Sequence, residues 1–374
     1  MKRFTIPMPA RYAMNTALLI LFLFAGNLIT QGGLLNRSQN FTLIQIGVFI
    51  ILAVSLNMVT GYLGQLPLGH AGFMAVGAYT GALFWRAAIL PGTLSLVAGL
   101  LAAGVIAAIF GIIIGVPALR LRGDYLAIIT LGFGEIIRVV INNLDSITYG
   151  ARGLRNIPGY SSFLVVYTCV IISCAVIHLI MKSRHGRAIL SIKENEIAAE
   201  SCGVNTTYYK VMTFAVSAFF AGVAGALYAG SIGILVPAAF DFMQSIDILM
   251  IVVLGGLGSM LGSIIATSVL MSLPVALQFL NAYRMIIYAL LLIVVMIFKP
   301  TGLMGSYDFS LSRIIEKIVN REFDFSLRRL LKTITSRDFY IELFKKITNL
   351  DFYMERFKKI ANRLGFGKRA DKIK

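Results

Sequence analysis

What most limits the fold open to this chain is the length of its apolar runs. Residues 13–30, 41–60, 68–90, 94–119, 125–141, 163–181, 208–232, 246–273 and 283–298 carry few charged side chains. A helix rises about 1.5 Å per residue, so about 20 apolar residues carry it across a hydrocarbon layer about 30 Å thick. Inside lipid the backbone must bond to itself, which leaves helices for spans of this length. The expected fold class is all-α: a polytopic helical membrane protein with about 8 to 10 transmembrane helices, some broken or re-entrant, and a cytoplasmic amphipathic helical tail. A composition of 58% hydrophobic and 14% charged residues excludes a soluble domain, whose apolar share is about 45–50%.

Charge orients these runs. Lys2, Arg3 and Arg11 precede the first, and no small-x-small cleavage site follows it, so the reading is an uncleaved span with a cytoplasmic start. Six crossings then bring the chain back to the cytoplasm at residues 182–210, KSRHGRAILSIKENEIAAESCGVNTTYYK, which holds Lys182, Arg184, Arg187, Lys193, Glu194, Glu196, Glu200 and Lys210. A short helix over 187–201 is expected there, ended by Gly203. Such a helix between two spans is placed to receive force from a soluble partner, although an ordinary basic loop fits the same charge pattern.

Simple crossings by all the runs would leave a basic tail outside. The segment 246–273 is therefore expected to be broken, at Gly255, Gly256, Gly258 and Gly262, into short or re-entrant pieces that return both termini to the cytoplasm. The spacing of Gly77 with Gly81, Gly111 with Gly115 and Gly258 with Gly262 predicts close helix packing in lipid.

From Ser306 onward the chain has 17 Lys and Arg against 9 Asp and Glu. It repeats a pattern: DFSLSRIIEKI from Asp308, DFSLRRLLKTI from Asp324, DFYIELFKKI from Asp338 and DFYMERFKKI from Asp351. Apolar residues recur at helical spacing, as in Leu311, Ile314, Ile315 and Ile318, with Lys and Arg on the other face. These helices are expected on the inner leaflet or on a partner, a solvated tail of weak helicity being the alternative. The chain thus divides into a transmembrane domain at 1–305, containing the loop 182–210, and a basic amphipathic repeat tail at 306–374. The formal net charge of +17 implies membrane lipid as a partner, ahead of nucleic acid, which is not expected.

Catalytic chemistry finds little to stand on. Cys169, Cys174 and Cys202 make neither a disulfide framework nor a metal pattern, and His70, His178 and His185 lack ligand spacing, so no cofactor or metal is expected. GGLGSMLG at 255–262 lacks the Lys and Ser or Thr of a phosphate loop. The chain is not expected to be an enzyme, and any ATP would be bound by another chain. Two stretches carry candidate polar groups for a solute path. GYLGQLPLGHAGFMAVGAYTGALF, 61–84, sets Gln65 and His70 at an interrupted helix; His70 could equally be a satisfied interfacial residue. LRLRGDYLAIITLGFGEIIRVVINN, 119–143, places Thr130 and Glu135 in a span, where an ionisable side chain is costly enough to suggest function. Glu135 and Arg138 also stand three residues apart, so a local ion pair is open.

The ordered set GYLGQLPLGHAGFMAVGAY, LRLRGDYLAIITLGFGEIIR, GRAILSIKENEIAAESCGVN and SIDILMIVVLGGLGSMLG resembles the permease subunits of branched-chain amino acid ABC importers, of the LivM type, over residues 45–305. That resemblance implies a pathway-forming subunit for leucine, isoleucine and valine in a bacterial inner membrane. Its implied partners are a second homologous permease subunit, two cytoplasmic ATPase subunits and an external, periplasmic solute-binding protein. It also implies that the stretch matching 194–205 is the coupling helix, with Glu194, Glu196, Ala199, Glu200 and Gly203 as ATPase-coupling residues. Two departures stand out: Pro67 occupies a position where the family often has a small polar residue, and the tail after Gly305 is not part of the pattern. Permeases for urea and short-chain amides share much of it. An ion-coupled secondary transporter would instead need a midplane carboxylate such as Glu135 or Asp247.

Overall fold

A computed structural model describes residues 36–276 apart from 89, 120 and 122, together with 23–28, 30 and 32. Residues 23–28 are helical and belong to the first expected span; the rest of 13–30, the span at 283–298 and the tail at 306–374 lie outside the described residues. Ten principal helices follow in order: α1 (Arg37–Asn57), α2 (His70–Arg86), α3 (Gly92–Ala118), α4 (Asp124–Asn143), α5 (Phe163–Lys182), α6 (Arg184–Glu194), α7 (Glu196–Ser201), α8 (Thr206–Ile232), α9 (Phe242–Gly255) and α10 (Met260–Ala276). Among the described residues there is no β-strand, only an isolated antiparallel bridge between Leu154 and Leu235.

Four of these helical segments are long and apolar enough to cross a membrane by length and composition: Arg37–Tyr62, Gly92–Ala118, Phe163–Lys182 and Thr206–Ile232. Their ends follow local chemistry. Asn205 accepts from the Tyr208 amide at 3.0 Å at the start of α8, and Gly233 ends α8 with φ 78°. α9 starts at Asp241, whose carboxylate accepts from the Gln244 amide at 3.0 Å.

α8 lies at the centre, packed against α3, α2 and α1; α10 packs against α1 and α9, α5 against α1, and α4 against α2. Small residues let the backbones close in. A side chain at Gly77 would strike the backbone of Gly222, and one at Gly81 would come within 2.6 Å of the Ala226 methyl. Gly111 faces Ala218 and Gly115 faces Phe214, while Gly262 meets the backbone of Gly255. In lipid, where tails are as apolar as leucine, this dispersion packing replaces the hydrophobic effect as the force between helices.

α3 shows the consequence. Its inward residues are small, among them Gly99, Ala103, Gly104, Ala107 and Gly111. Leu94, Leu101, Val105, Ile109 and Ile113 point outward and are exposed. A soluble protein would bury that outer face, so its exposure marks a lipid boundary.

Two expected elements take a different form. The single loop helix over 187–201 is split at Asn195, whose extended backbone (φ −158°, ψ 107°) separates α6 from α7 while its side chain accepts from the Ala198 amide at 3.1 Å. An Asn that caps a new helix outcompetes continuation of the old one. The run 246–273 is two pieces packed on each other, α9 and α10, interrupted at 256–259 with Gly256 at φ 110° and Gly258 at φ 86°. The expected run 68–90 is helical only from His70: Leu68 forms a bend and Gly69, at φ −100° and ψ 18°, precedes the helix.

Candidate functional site

Two breaks meet inside the bundle. The first follows α1, which widens into a π-turn at Met58–Tyr62 and then leaves helical geometry until His70. The second is the turn between α9 and α10. Asn57, 1% exposed, joins them. Its amide donates to the Ser259 carbonyl at 3.0 Å and the Ser263 hydroxyl at 2.9 Å, and its carbonyl accepts from the Gly258 amide at 2.8 Å. Polar backbone freed at membrane depth needs such a partner, and one side chain meets three groups here. Gly61 presses on the Gly258 backbone, which leaves no room for a side chain.

The non-helical stretch before α2 and the first turn of α2 are pinned by hydroxyls from other helices. Thr130 on α4 accepts from the Leu68 amide at 2.9 Å, and Ser245 on α9 accepts from the Ala71 amide at 3.0 Å. His70 Nε2 lies 3.0 Å from the Ser55 hydroxyl, and Ser217 on α8 donates to the Ser55 carbonyl at 2.7 Å. The interruption and the start of α2 are thereby fixed from α1, α4 and α9, with α8 bracing α1 at Ser55.

The four candidate path residues sit around this interruption without lining one cavity. His70 and Thr130 are buried and bonded as described. Gln65 is half-buried, its amide oxygen enclosed with no hydrogen-bond partner. Glu135 accepts from Arg138 at 2.7 Å, the local ion pair its spacing allowed, and lies with Leu68, Ala71, Asp241, Phe242 and Ser245 along a narrow cleft that has no room for a water molecule. Asn57, Ser245 and Ser263 were not singled out from the sequence. The available signal for Asn57 was an amide, one of two with Gln45 in the largely apolar stretch 41–60, a residue whose desolvation demands a partner.

The second element is the α6–α7 pair. Ser183 starts α6, accepting from the His185 amide at 3.1 Å. Ile189 and Ile192 turn inward, and Lys193 at its last turn donates to the Gly61 carbonyl at 2.7 Å. Of the candidate coupling residues, Glu194, Glu200 and Gly203 are exposed and Ala199 is buried against the core. Glu196 is held at 2.7 Å by Lys210, whose side chain is only 5% exposed. Gly203 has φ 83° with open space around it, so glycine serves its conformation. Ile197, not named from the sequence, is 68% exposed between these acidic residues. α7 therefore presents a small apolar and acidic face while its buried side ties it to α8.

Residues 40–296 match the family model described as the permease component of the branched-chain amino acid transport system. The chain belongs to that family. It is 36% identical over 299 residues to the high-affinity branched-chain amino acid transport system permease protein LivM of Salmonella typhimurium, covering 69% of this chain and 68% of the relative. The LivM of Escherichia coli K12 is 37% identical over the same shares. The LivH permease of that organism is 26% identical over 292 residues, 71% of this chain and 94% of its own. The permease described here is thus similar to both named kinds of subunit, and to LivM more strongly.

Proposed function

We propose that this permease forms the translocation path for leucine, isoleucine and valine in an ATP-driven importer, working with a second homologous permease, two cytoplasmic ATPase subunits and an external solute-binding protein. The observation that carries the reading is the α6–α7 pair: a short helix exposes Ile197 and Glu200, and its other side is anchored to a membrane helix through Lys210 and Glu196. A handle of this kind transmits force only if it is rigid toward the membrane and free toward a partner. Glu194, Glu196, Ala199, Glu200 and Gly203 belong to it, Ala199 as the packed base and Glu194 and Glu200 as the outward charges.

Solute passes near the interruption before α2, where Gln65 offers an unbonded oxygen and Glu135 lies at the cleft; His70 and Thr130 hold the shape of that passage. The protein sits in a bacterial inner membrane with 182–210 and both termini in the cytoplasm, and the tail at 306–374 is an added element on the inner leaflet.

The test is purification from the native membrane in mild detergent, identification of co-purifying chains by mass spectrometry, and reconstitution with ATP and the four solutes leucine, isoleucine, valine and urea. Two ATPase subunits, a second permease and ATP-dependent uptake of the three amino acids are expected. ATP-dependent uptake of urea alone would replace the solute, and uptake driven by an ion gradient without ATPases would overturn the class and direct attention to Glu135 and Asp247.

A further inference from the structure

Gly61 lies in the π-turn at the end of α1, and its carbonyl has lost its α-helical partner. The Gln65 amide, which an unbroken helix would give to Gly61, goes instead to the Val59 carbonyl at 3.1 Å, and the Leu63 amide goes to Met58 at 3.3 Å. The vacant acceptor is taken from outside the bundle: Lys193 Nζ, on the last turn of α6 and 132 residues away in sequence, donates to Gly61 O at 2.7 Å. The stem of Lys193 also lies along the chain at Gly64, where a side chain would approach the Lys193 Cγ to 3.0 Å. A cation at the carbonyl end of a helix is favoured by the helix dipole as well as by the bond itself.

Gly61 is not an isolated end. It abuts Gly258, whose amide bonds to Asn57 at 2.8 Å, and Asn57 in turn holds Ser259 and Ser263. A continuous line of contacts, hydrogen-bonded except where Gly61 packs on the Gly258 backbone, therefore runs from α6, through Lys193 and Gly61, to both breaks in the membrane. The next residues after Lys193 are Glu194 and the Asn195 break that opens α7.

We propose that Lys193 is a positioning residue that couples the α6–α7 pair to the two facing breaks, so that displacement of the cytoplasmic pair is transmitted to the interruption beside Gln65. The inference rests on the reading of α7 as the ATPase handle. It differs from a simple end-cap role in one respect: loss of the bond should separate ATP hydrolysis from transport while leaving the complex intact.

The experiment uses the full chain purified with its native partners and reconstituted in liposomes, with uptake and ATP hydrolysis measured on the same vesicles. Lys193→Met keeps the stem and removes the donor; Lys193→Arg keeps a donor. In Lys193→Met, uptake per ATP is expected to fall about tenfold with hydrolysis changed by no more than about twofold, the size of effect a lost charge-assisted bond permits. Lys193→Arg should recover most of the ratio. Hydrogen exchange should rise in Lys193→Met at residues 58–66 and 255–259 and not along α8. An unchanged uptake-to-hydrolysis ratio in Lys193→Met overturns the proposal. So does failure of Lys193→Met to assemble with its partners, or a parallel loss of uptake and hydrolysis, since either makes the bond a structural cap. Absence of ATP-dependent uptake in the wild-type vesicles would instead refute the importer reading itself, and with it the premise of this inference.

Discussion

Replacing Asn57 with alanine should loosen the meeting of the two breaks more than any other single loss of a side-chain amide among the described residues. The size follows from the bonds. Without Asn57 Oδ1 the Gly258 amide loses its acceptor in a part-buried place, and an orphaned donor costs about 1–3 kcal/mol. The two lost donations, to Ser259 and Ser263, add about 0.6 kcal/mol each, the average for interhelical bonds in a membrane bundle. Part of this is recovered, because the Ser263 hydroxyl already donates to the Ser259 carbonyl at 3.2 Å. The net expectation is about 2–4 kcal/mol, or a factor of roughly 30 to 1000 in the folded-to-unfolded ratio. Reversible unfolding of the purified chain in mixed detergent micelles, followed by helical circular dichroism and tryptophan emission from Trp85, measures it. Asn143→Ala is the control, since that amide is exposed and bonds only one turn back to Val139; its expected change is below about 0.5 kcal/mol. Equal stability of Asn57→Ala and wild type would refute the claim that this side chain holds the breaks together.

Two further outcomes test the packing and the handle. Gly77→Val should prevent assembly of α2 on α8, since its first added carbon meets the Gly222 backbone, whereas Gly132→Ala, with nothing within 4 Å, should assemble normally; membrane-inserted, monodisperse protein on size exclusion reads both. Glu196→Gln should destabilise the α7 junction by leaving the buried Lys210 ammonium without a counter-charge, and adding Lys210→Met should restore stability toward wild type, because removing one partner of a shielded pair costs more than removing both. A double variant no better than Glu196→Gln alone would show that the ion pair does not account for the loss.

Much of this architecture could be read along the chain. Where an apolar run is long and unbroken, as at 163–181, helix and expectation agree almost to the residue, because hydropathy and helical hydrogen bonding are properties of neighbours in sequence. The glycine-rich interruption of 246–273 was legible for the same reason, since glycine's freedom at positive φ is a local property, although the partner of the freed Gly258 amide, Asn57, is distant. The split at Asn195 was harder, since KENEIAAES reads as one helical stretch until the capping bond of Asn195 is seen.

The candidate site was less legible. His70 and Thr130 were singled out from the sequence as candidate path residues, but the sequence could not say that their partners lie in Ser55 and in the Leu68 amide. Glu135 and Arg138 kept both a local and a functional reading until their 2.7 Å pairing was seen.

Among the described residues, the sequence by itself determined most of the helical segments, that they belong in lipid, and the break within 246–273, because each of these follows from local hydropathy, backbone freedom and charge. Only the tertiary structure decided which side of each helix faces protein. In α3 both faces are apolar, so no polarity pattern distinguishes them; the small residues turn inward only because α2 and α8 are there to meet them. The same holds for Asn57 and Lys193. A buried amide announces that it needs partners, and a helix-end lysine announces a charge, but their partners lie 202 and 132 residues away, at Ser259 and Gly61. Desolvation makes the demand for a partner local, while the supply of one is set by the packing of the whole bundle.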